Sequence, residues 1–160
     1  MNTLIVYYSQ ACGNTKRIAE MIHEEKGYDI CRIDTEIPYT GAYQEIVDQG
    51  QEEVNRGYKP ALKPLEVSLG DYDRYIVMTP TWWYTMAPAV LTFLSENDFT
   101  GKIVIPVQTH GGWPGHAIKD MERAAKDGDF KDSFAVQFDS TGGDELVTKE
   151  DEILEWIRKL

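Results

Sequence analysis

The stretch that most constrains the fold is residues 4–15, where a buried-strand pattern runs directly into a helix pattern. Residues 4–8 form a continuous apolar run, which is typical of a parallel strand covered on both faces. A polar turn follows at residues 9–13, and from Asn14 onward the apolar residues share one helical face. The first turn of a helix has unpaired backbone N–H groups and the positive end of the helix dipole, so this junction predicts an anion site.

The same turn has a simpler interpretation. Many strand-to-helix turns are polar only because they are exposed, and Asn14 then serves merely as an N-cap. The glycine-rich fingerprints of dinucleotide-binding and P-loop proteins do not occur here. The turn alone leaves both interpretations open, and a second site is needed to decide between them.

The rest of the chain repeats the alternation of strand and helix. Further strands are predicted at residues 28–34, 75–79, 102–108 and 134–138, and helices at residues 42–55, 88–97, about 118–128 and about 151–160. Five such units predict a single α/β domain over residues 1–160, a doubly wound three-layer sandwich with a five-stranded parallel sheet. Two local expectations are a weakened ladder at Pro106 and a capping box formed by Thr148 and Asp151.

Two further loops carry unusual residues. In a doubly wound sheet ligands bind beyond the carboxyl ends of the strands, and in the order 2-1-3-4-5 the loops after strands one, three and four converge there. The loop after strand three contains Trp82, Trp83 and Tyr84, and the loop after strand four contains residues 109–115. A flat aromatic ligand with a phosphate tail fits all three loops. The alternative is that one indole is buried, the other covers a neighbouring loop, and the glycines only form a tight turn.

Charge and composition exclude several classes of partner. The net charge is -11 and the pI is near 4.6, so nucleic acid and anionic membrane surfaces are not expected partners, whereas a basic docking protein is. Two cysteines do not make a disulfide framework, and the three histidines do not form a metal pattern. The N-terminus carries neither a basic leader nor a long apolar segment, which favours a cytoplasmic location.

Several motifs together resemble the flavodoxin family, in particular short flavodoxin-like proteins with a Thr-Pro-x-Trp-Trp loop. They are Tyr8-Ser9, Gly13-Asn14-Thr15-Lys16, Asp71-Tyr72-Asp73, Thr79-Pro80-Thr81-Trp82-Trp83, Phe93-Leu94, Gly101-Lys102 and Thr109-His110-Gly111-Gly112. The resemblance implies a flavodoxin-like fold of order 2-1-3-4-5 and a bound FMN, with its phosphate in the first loop and its isoalloxazine between the other two.

The resemblance therefore names a set of candidate FMN-binding residues and implies neither a catalytic side chain nor a metal ligand. These are Ser9, Gln10, Ala11, Cys12, Gly13, Asn14, Thr15, Pro80, Thr81, Trp82, Trp83, Thr109, His110, Gly111, Gly112 and Trp113. Two departures from the family pattern matter. The phosphate loop is one residue longer, with Cys12 in place of a hydroxyl residue, and Tyr84 stands where relatives often carry glycine. We expect a tyrosine to resist a positive φ at that position.

Three functional classes are compatible with this fold. The first is a small electron carrier that docks on basic redox partner proteins, and the second is an NAD(P)H-dependent quinone or azo reductase. The third is the low-molecular-weight tyrosine phosphatases, which use a Cys-x5-Arg loop after the first strand. Cys12 and Arg17 enclose only four residues, which makes that loop one residue too short.

Overall fold

A parallel sheet forms the centre of the protein, as the buried apolar runs predict. The computed structural model describes residues 1–10 and 12–160. Its strands are β1 Thr3–Tyr7, β2 Asp29–Arg32, β3 Arg74–Trp82, β4 Thr85–Met86, β5 Ile103–His110, β6 Asp129–Phe130 and β7 Phe134–Gln137. Its helices are α1 Asn14–Lys26, α2 Tyr43–Asn55, α3 Pro88–Glu96, α4 Ala117–Ala124 and α5 Glu150–Arg158, with a 3₁₀ turn at Leu69–Asp71.

The strand order confirms the predicted topology. The sheet runs β2-β1-β3-β5-β6, and β7 also pairs with β5, so β6 and β7 are two parts of one edge strand. All of these pairs are parallel, and the order is the expected 2-1-3-4-5. The central strands β1, β3 and β5 are therefore neighbours, and the turns that follow them lie at one end of the sheet.

The edge strand is interrupted beside Pro106. Val104 pairs with Phe130 and Val107 pairs with Phe134, so one extra residue is accommodated between the two segments. The Val104 carbonyl accepts from the Lys131 N–H on this edge, and in a strand every second residue faces the same neighbour. Pro106 therefore faces the edge without a donor, which explains the predicted weakening of the ladder there.

The sheet is covered on both faces. Leu4 and Val6 of β1 belong to one buried cluster together with Val90 and Phe93 of α3. Ile5 lies on the opposite face, in a second cluster that contains residues of α1 and α5. This alternation places apolar side chains of a single strand in two cores, which is why the strand reads as a continuous apolar run.

Two local predictions are wrong. The chain does not leave the sheet at Pro80, because β3 continues to Trp82 and turns back through β4 as a short antiparallel hairpin. Thr148 does not form a capping box, since its hydroxyl accepts from the Gln137 N–H at 2.7 Å and Lys149 occupies the N-cap of α5. Tertiary contacts in both cases override the local sequence signal.

None of the helices in the described part of the chain has the length and apolar character needed to cross a membrane.

Candidate functional site

The three predicted loops meet at one groove at the carboxyl end of the sheet. Its volume is about 560 Å³. Predicted residues that line it are Gln10, Cys12, Asn14, Thr15, Pro80, Thr81, Trp82, Trp83, Thr109, His110 and Gly111. Residues that line it and were not predicted are Tyr43, Ile46, Val47, Gly50, Phe138, Asp139, Gly142 and Gly143. The groove thus has the predicted loops on one side and two further segments on the other.

The turn after β1 is divided between two faces. Ser9 is buried, and its hydroxyl accepts from the Lys16 N–H at 3.2 Å, which satisfies one of the free donors at the start of α1. Ser9 and Gly13 line a separate cavity with Lys16, Arg17 and other residues, outside the groove. Ala11 lies outside the residues that the structure describes. The inner face of the turn is therefore formed by Gln10, Cys12, Asn14 and Thr15.

Hydroxyl groups connect this turn to the neighbouring strands at the floor of the groove. Thr15 and Thr109, both buried, share a hydrogen bond of 2.8 Å between their Oγ1 atoms. The Thr81 hydroxyl lies 2.9 Å from the Thr109 carbonyl and 3.0 Å from Oε1 of Gln108. These contacts fix the ends of β3 and β5 relative to the start of α1.

The loop at residues 139–145, which follows β7, forms the opposite rim of the polar end. The Asp139 carboxylate accepts from the backbone N–H groups of Thr141, Gly143 and Glu145 and from the Thr141 hydroxyl. Hydrogen bonds from these donors lower the pKa of Asp139 to about 2, and the Thr141 hydroxyl makes the largest contribution. Asp139 is therefore ionised at neutral pH and organises the loop around itself.

Backbone carbonyls of this loop accept hydrogen bonds from the turn after β1. Cys12 Sγ lies 3.3 Å from the Gly142 oxygen, and Asn14 Nδ2 lies 3.0 Å from the Gly143 oxygen. The Arg17 guanidinium contacts the Asp144 oxygen at 3.4 Å, and Arg17 lines the cavity outside the groove together with Cys12. The argument against a phosphatase loop therefore remains the spacing of Cys12 and Arg17, which is one residue short of Cys-x5-Arg.

One polar atom at this end has no partner. Oδ1 of Asn14 is buried and accepts no hydrogen bond from any described residue. An unsatisfied buried acceptor costs about 1–3 kcal/mol, so native proteins rarely leave one without a water molecule or a ligand nearby. Asn14 lines the groove, so a water molecule or a ligand hydroxyl group there would supply the donor that this atom lacks, whereas a phosphate oxygen would not.

At the other end of the groove Trp82 packs into an aromatic cluster. Its ring meets Tyr8 and Tyr39 edge to face, with centroid distances of 5.9 and 5.1 Å. A Cβ on Gly50 would lie 3.2 Å from Trp82 Cε3, so the glycine in the middle of α2 makes room for the indole. Trp82 therefore forms the inner wall of the apolar end and also packs against α2.

Trp83 and Tyr84 form the tip of the hairpin, and both have positive φ angles of 48° and 68°. A two-residue hairpin turn of this kind requires positive φ at both positions, which asparagine and glycine normally supply. Tyr84 thus adopts the positive φ that a tyrosine was expected to avoid, and the turn carries the energetic cost of that conformation. The His116 N–H donates to the Tyr84 oxygen at 2.8 Å, and a Cβ on Gly115 would lie only 2.2 Å from that oxygen. The surrounding chain thus fits closely around the strained turn.

The loop after β5 contributes only its first half to the groove. His110 Nδ1 accepts from the Gly112 N–H at 3.0 Å, and burial lowers the pKa of the imidazole, so it is neutral at pH 7. Gly111 lines the groove and lies close to Asp139, whose carbonyl would be 3.1 Å from an added Cβ. Gly112 and Trp113 do not line it, and the Trp113 side chain is 59% exposed. A ring contact of Trp113 inside the groove is therefore not observed.

Sequence reasoning missed the contribution of α2. The pattern predicted the helix and its apolar face, and it did not indicate that this face would line a ligand groove. Trp83 Nε1 donates to the Val47 carbonyl at 3.0 Å and connects the hairpin to this helix. The mid-helix Gly50 was an available signal, because a glycine there usually marks a close approach.

The groove offers different surfaces to a ligand at its two ends. Its titratable groups include Asp139, whose oxygens already accept hydrogen bonds, and His110, whose pKa is lowered by burial. Among the described residues there is no group of three or more His, Cys, Asp or Glu that could hold a metal ion. The polar end offers amide and hydroxyl groups at a helix N-terminus, and the other end offers aromatic and aliphatic surface.

Comparison with known proteins gives a consistent result. A family model described as Flavodoxin matches residues 2–159. No curated protein sequence matches the chain significantly. A protein of Bacteroides eggerthii assigned as a flavoprotein is 26% identical, with a TM-score of 0.79 over 99% of this chain and 96% of that one. Its Bacteroides uniformis counterpart is 25% identical, with a TM-score of 0.80 over 98% and 97%.

A flavoprotein of Lactobacillus acidophilus solved in complex with FMN shares the fold. It is 22% identical to this chain, with a TM-score of 0.70 over 84% of this chain and 91% of that chain.

Proposed function

Because this chain belongs to the flavodoxin family, we propose that its groove binds FMN and that the protein carries electrons between partner proteins through the bound flavin. The observation that carries the proposal is the shape of the groove, which has a polar end at a helix N-terminus and an aromatic end beside it. FMN has the matching parts, an anionic phosphate tail and a flat ring. The Lactobacillus acidophilus relative was solved in complex with FMN.

The residues of the groove fit the two parts of the cofactor. Its volume of about 560 Å³ lies within the range of small-molecule sites, roughly 300–1,000 Å³. We assign the tail to the start of α1, where Cys12, Asn14 and Thr15 line the groove and backbone donors favour an anion. We assign the ring to the surfaces of Pro80–Trp83 and of the loop after β5, where Thr109, His110 and Gly111 line the groove.

Bound FMN supplies the redox chemistry, and the protein supplies binding, orientation and a water-poor environment. The aromatic cluster around Trp82 presents an apolar wall that excludes water from one side of the site. His110 is neutral, with Nδ1 occupied by the Gly112 N–H, so its Nε2 carries the proton and is the ring's available donor. No side chain is assigned as a catalytic acid or base.

The surface beside the groove supports transfer to a protein partner. Trp83 and Tyr84 are 39% and 53% exposed at the hairpin tip next to the site. Exposed aromatic residues near a cofactor are typical of a contact surface. The net charge of -11 favours a partner with a basic docking face by accelerating and orienting the encounter. A cytoplasmic location forms part of the same proposal.

An absorption spectrum of the purified protein, with and without added FMN, tests the binding. We expect flavin bands that stay with the protein through gel filtration, and a colourless protein that ignores added FMN would contradict the proposal. Stopped-flow mixing of the flavin-loaded protein with NAD(P)H then separates the two redox classes. A carrier reacts slowly without a partner reductase, whereas rapid reduction by NAD(P)H would identify a quinone or azo reductase.

A further inference from the structure

We propose that α2 forms a fourth wall of the flavin site, and that Ile46 and Val47 pack against the apolar dimethylbenzene edge of the ring. This inference rests on the proposed binding of FMN and assigns residues that neither the motifs nor the predicted loops include. Tyr43, Ile46, Val47 and Gly50 lie on one face of α2 and line the groove.

The helix is attached to the body of the protein at few points. Of its residues only Gly50 and Glu53 are buried, and Tyr43 remains 68% exposed. Ile46 and Val47 are half-buried, and both line the groove. An amphipathic helix whose apolar face is only partly covered gains stability when a flat apolar group fills the remaining space.

The two tryptophans place this helix opposite the strand ends. Gly50 accommodates Trp82, and the Trp83 indole N–H donates to the Val47 carbonyl at 3.0 Å. At its other end α2 approaches the loop at residues 139–145, because an added Cβ on Gly142 would lie 3.5 Å from Tyr43 Oη. The helix therefore spans the groove from the hairpin to the polar rim.

The face of α2 that lines the groove indicates which part of the cofactor it contacts. Ile46 and Val47 lie on this face, whereas the acidic side chains of Glu45, Asp48 and Glu52 are exposed. An apolar ring edge therefore fits against α2, and the helix has no lysine or arginine with which to hold an anionic tail.

The test compares the affinities of FMN and riboflavin, which share the ring and differ in the phosphate. We expect Ile46→Ser and Val47→Ser each to weaken both ligands by the same factor, roughly tenfold, since each removes apolar surface that contacts the ring. Gln51→Ser is the matched control, because it makes a serine at an exposed position of the same helix, and it should leave both affinities unchanged.

Hydrogen exchange on the unmodified protein gives a second readout that does not depend on variant folding. FMN should protect the amides of α2 as well as those at the start of α1. Trp83→Phe, which keeps an aromatic ring and removes the N–H donor, should increase exchange in α2 before FMN is added.

The outcomes distinguish this inference from the proposed function. If the unmodified protein binds neither FMN nor riboflavin, both proposals fail. If it binds FMN while both α2 variants bind normally and α2 amides gain no protection, FMN binding stands and α2 is not a wall of the site. A loss of FMN affinity alone, with riboflavin unchanged, would also overturn the assignment.

Discussion

The two ends of the groove are held in place by different forces. At the polar end, Asp139 and the carbonyls of Gly142 and Gly143 hold two loops together through directional hydrogen bonds. At the aromatic end, close packing of side chains holds the segments in place. Gly50 and Gly115 leave space for Trp82 and Tyr84, and the hairpin tip holds two non-glycine residues at positive φ.

This difference predicts how each end responds to change. Hydrogen bonds can be weakened one at a time, so the polar end should lose stability in small steps that depend on pH and on paired residues. Close packing around a strained turn tolerates no added volume, so the aromatic end should show the largest single effects. The following variants test this contrast.

Gly115→Ala should cause the largest decrease in the free energy of unfolding. An added Cβ would lie 2.2 Å from the Tyr84 oxygen and 2.5 Å from Tyr84 Cβ, and φ at this glycine is 55°. Gly101→Ala is the control, because its φ of 76° is similar and it has no neighbouring atom within 4 Å. We expect a loss of about 1–2 kcal/mol in the control from backbone strain alone.

The clash at Gly115 should add about 1–3 kcal/mol to that loss. Urea unfolding of both variants measures the difference. Equal losses at the two glycines would show that the hairpin tip is free to move, and the contrast between the two ends would then disappear.

The Thr15–Thr109 pair tests the polar end by a double-mutant cycle on the protein without flavin. Either Thr15→Val or Thr109→Val alone leaves a buried hydroxyl without its partner and should cost about 1–3 kcal/mol. The double variant removes both hydroxyls and should cost less than the sum of the two. Strict additivity in chemical unfolding would mean that the 2.8 Å contact contributes no coupling.

Tyr84→Gly should stabilise the protein slightly. Glycine removes the penalty of about 1–2 kcal/mol for a side chain at positive φ and restores roughly 0.5–1 kcal/mol of chain entropy to the unfolded state. The net gain should be about 0.5–1 kcal/mol. Tyr84→Ala loses the same ring while keeping the strain, so it should show no gain. A thermal melt in which both variants behave alike would contradict a strained tip.

Asp139→Asn should have the smallest effect on stability, and the size of that effect should depend on pH. The pKa of Asp139 is lowered from 3.8 to about 2 in the folded protein, so its contribution is complete above about pH 4. It is lost as the pH falls toward 2, because the folded carboxylate is then protonated as well. Melting temperatures of the two proteins should therefore converge between pH 4 and 2. A constant difference across that range would show that ionisation of Asp139 is not involved.

The sequence predicted what depends on periodicity and on strong local signals. The apolar run before Ser9, the helix face after Asn14 and the glycine that ends α1 at φ 68° all have local causes. The strand order came from the resemblance to flavodoxins, and in that order the general rules for parallel sheets bring the three loops together.

The remaining features depend on tertiary contacts that leave little local signal. The Trp83–Tyr84 turn lacks the Asn-Gly pattern of such hairpins, and its conformation is held by Gly115 and His116, which lie some 30 residues further along. The loop at residues 139–145 is organised by one carboxylate, and the inward face of α2 is set by Trp82 and Trp83. Trp113 is the opposite case, because the sequence placed it in the site and the structure places it outside the groove.

The most direct test of the account is a titration of the purified protein, freed of any flavin, with FMN and separately with riboflavin. Flavin fluorescence and protein tryptophan fluorescence are followed together. We predict saturable quenching of both signals by one FMN per chain, with riboflavin bound more weakly because it lacks the group held at the start of α1. No quenching by FMN, or equal affinity for the two flavins, would contradict a groove with an anion-binding end and an aromatic end.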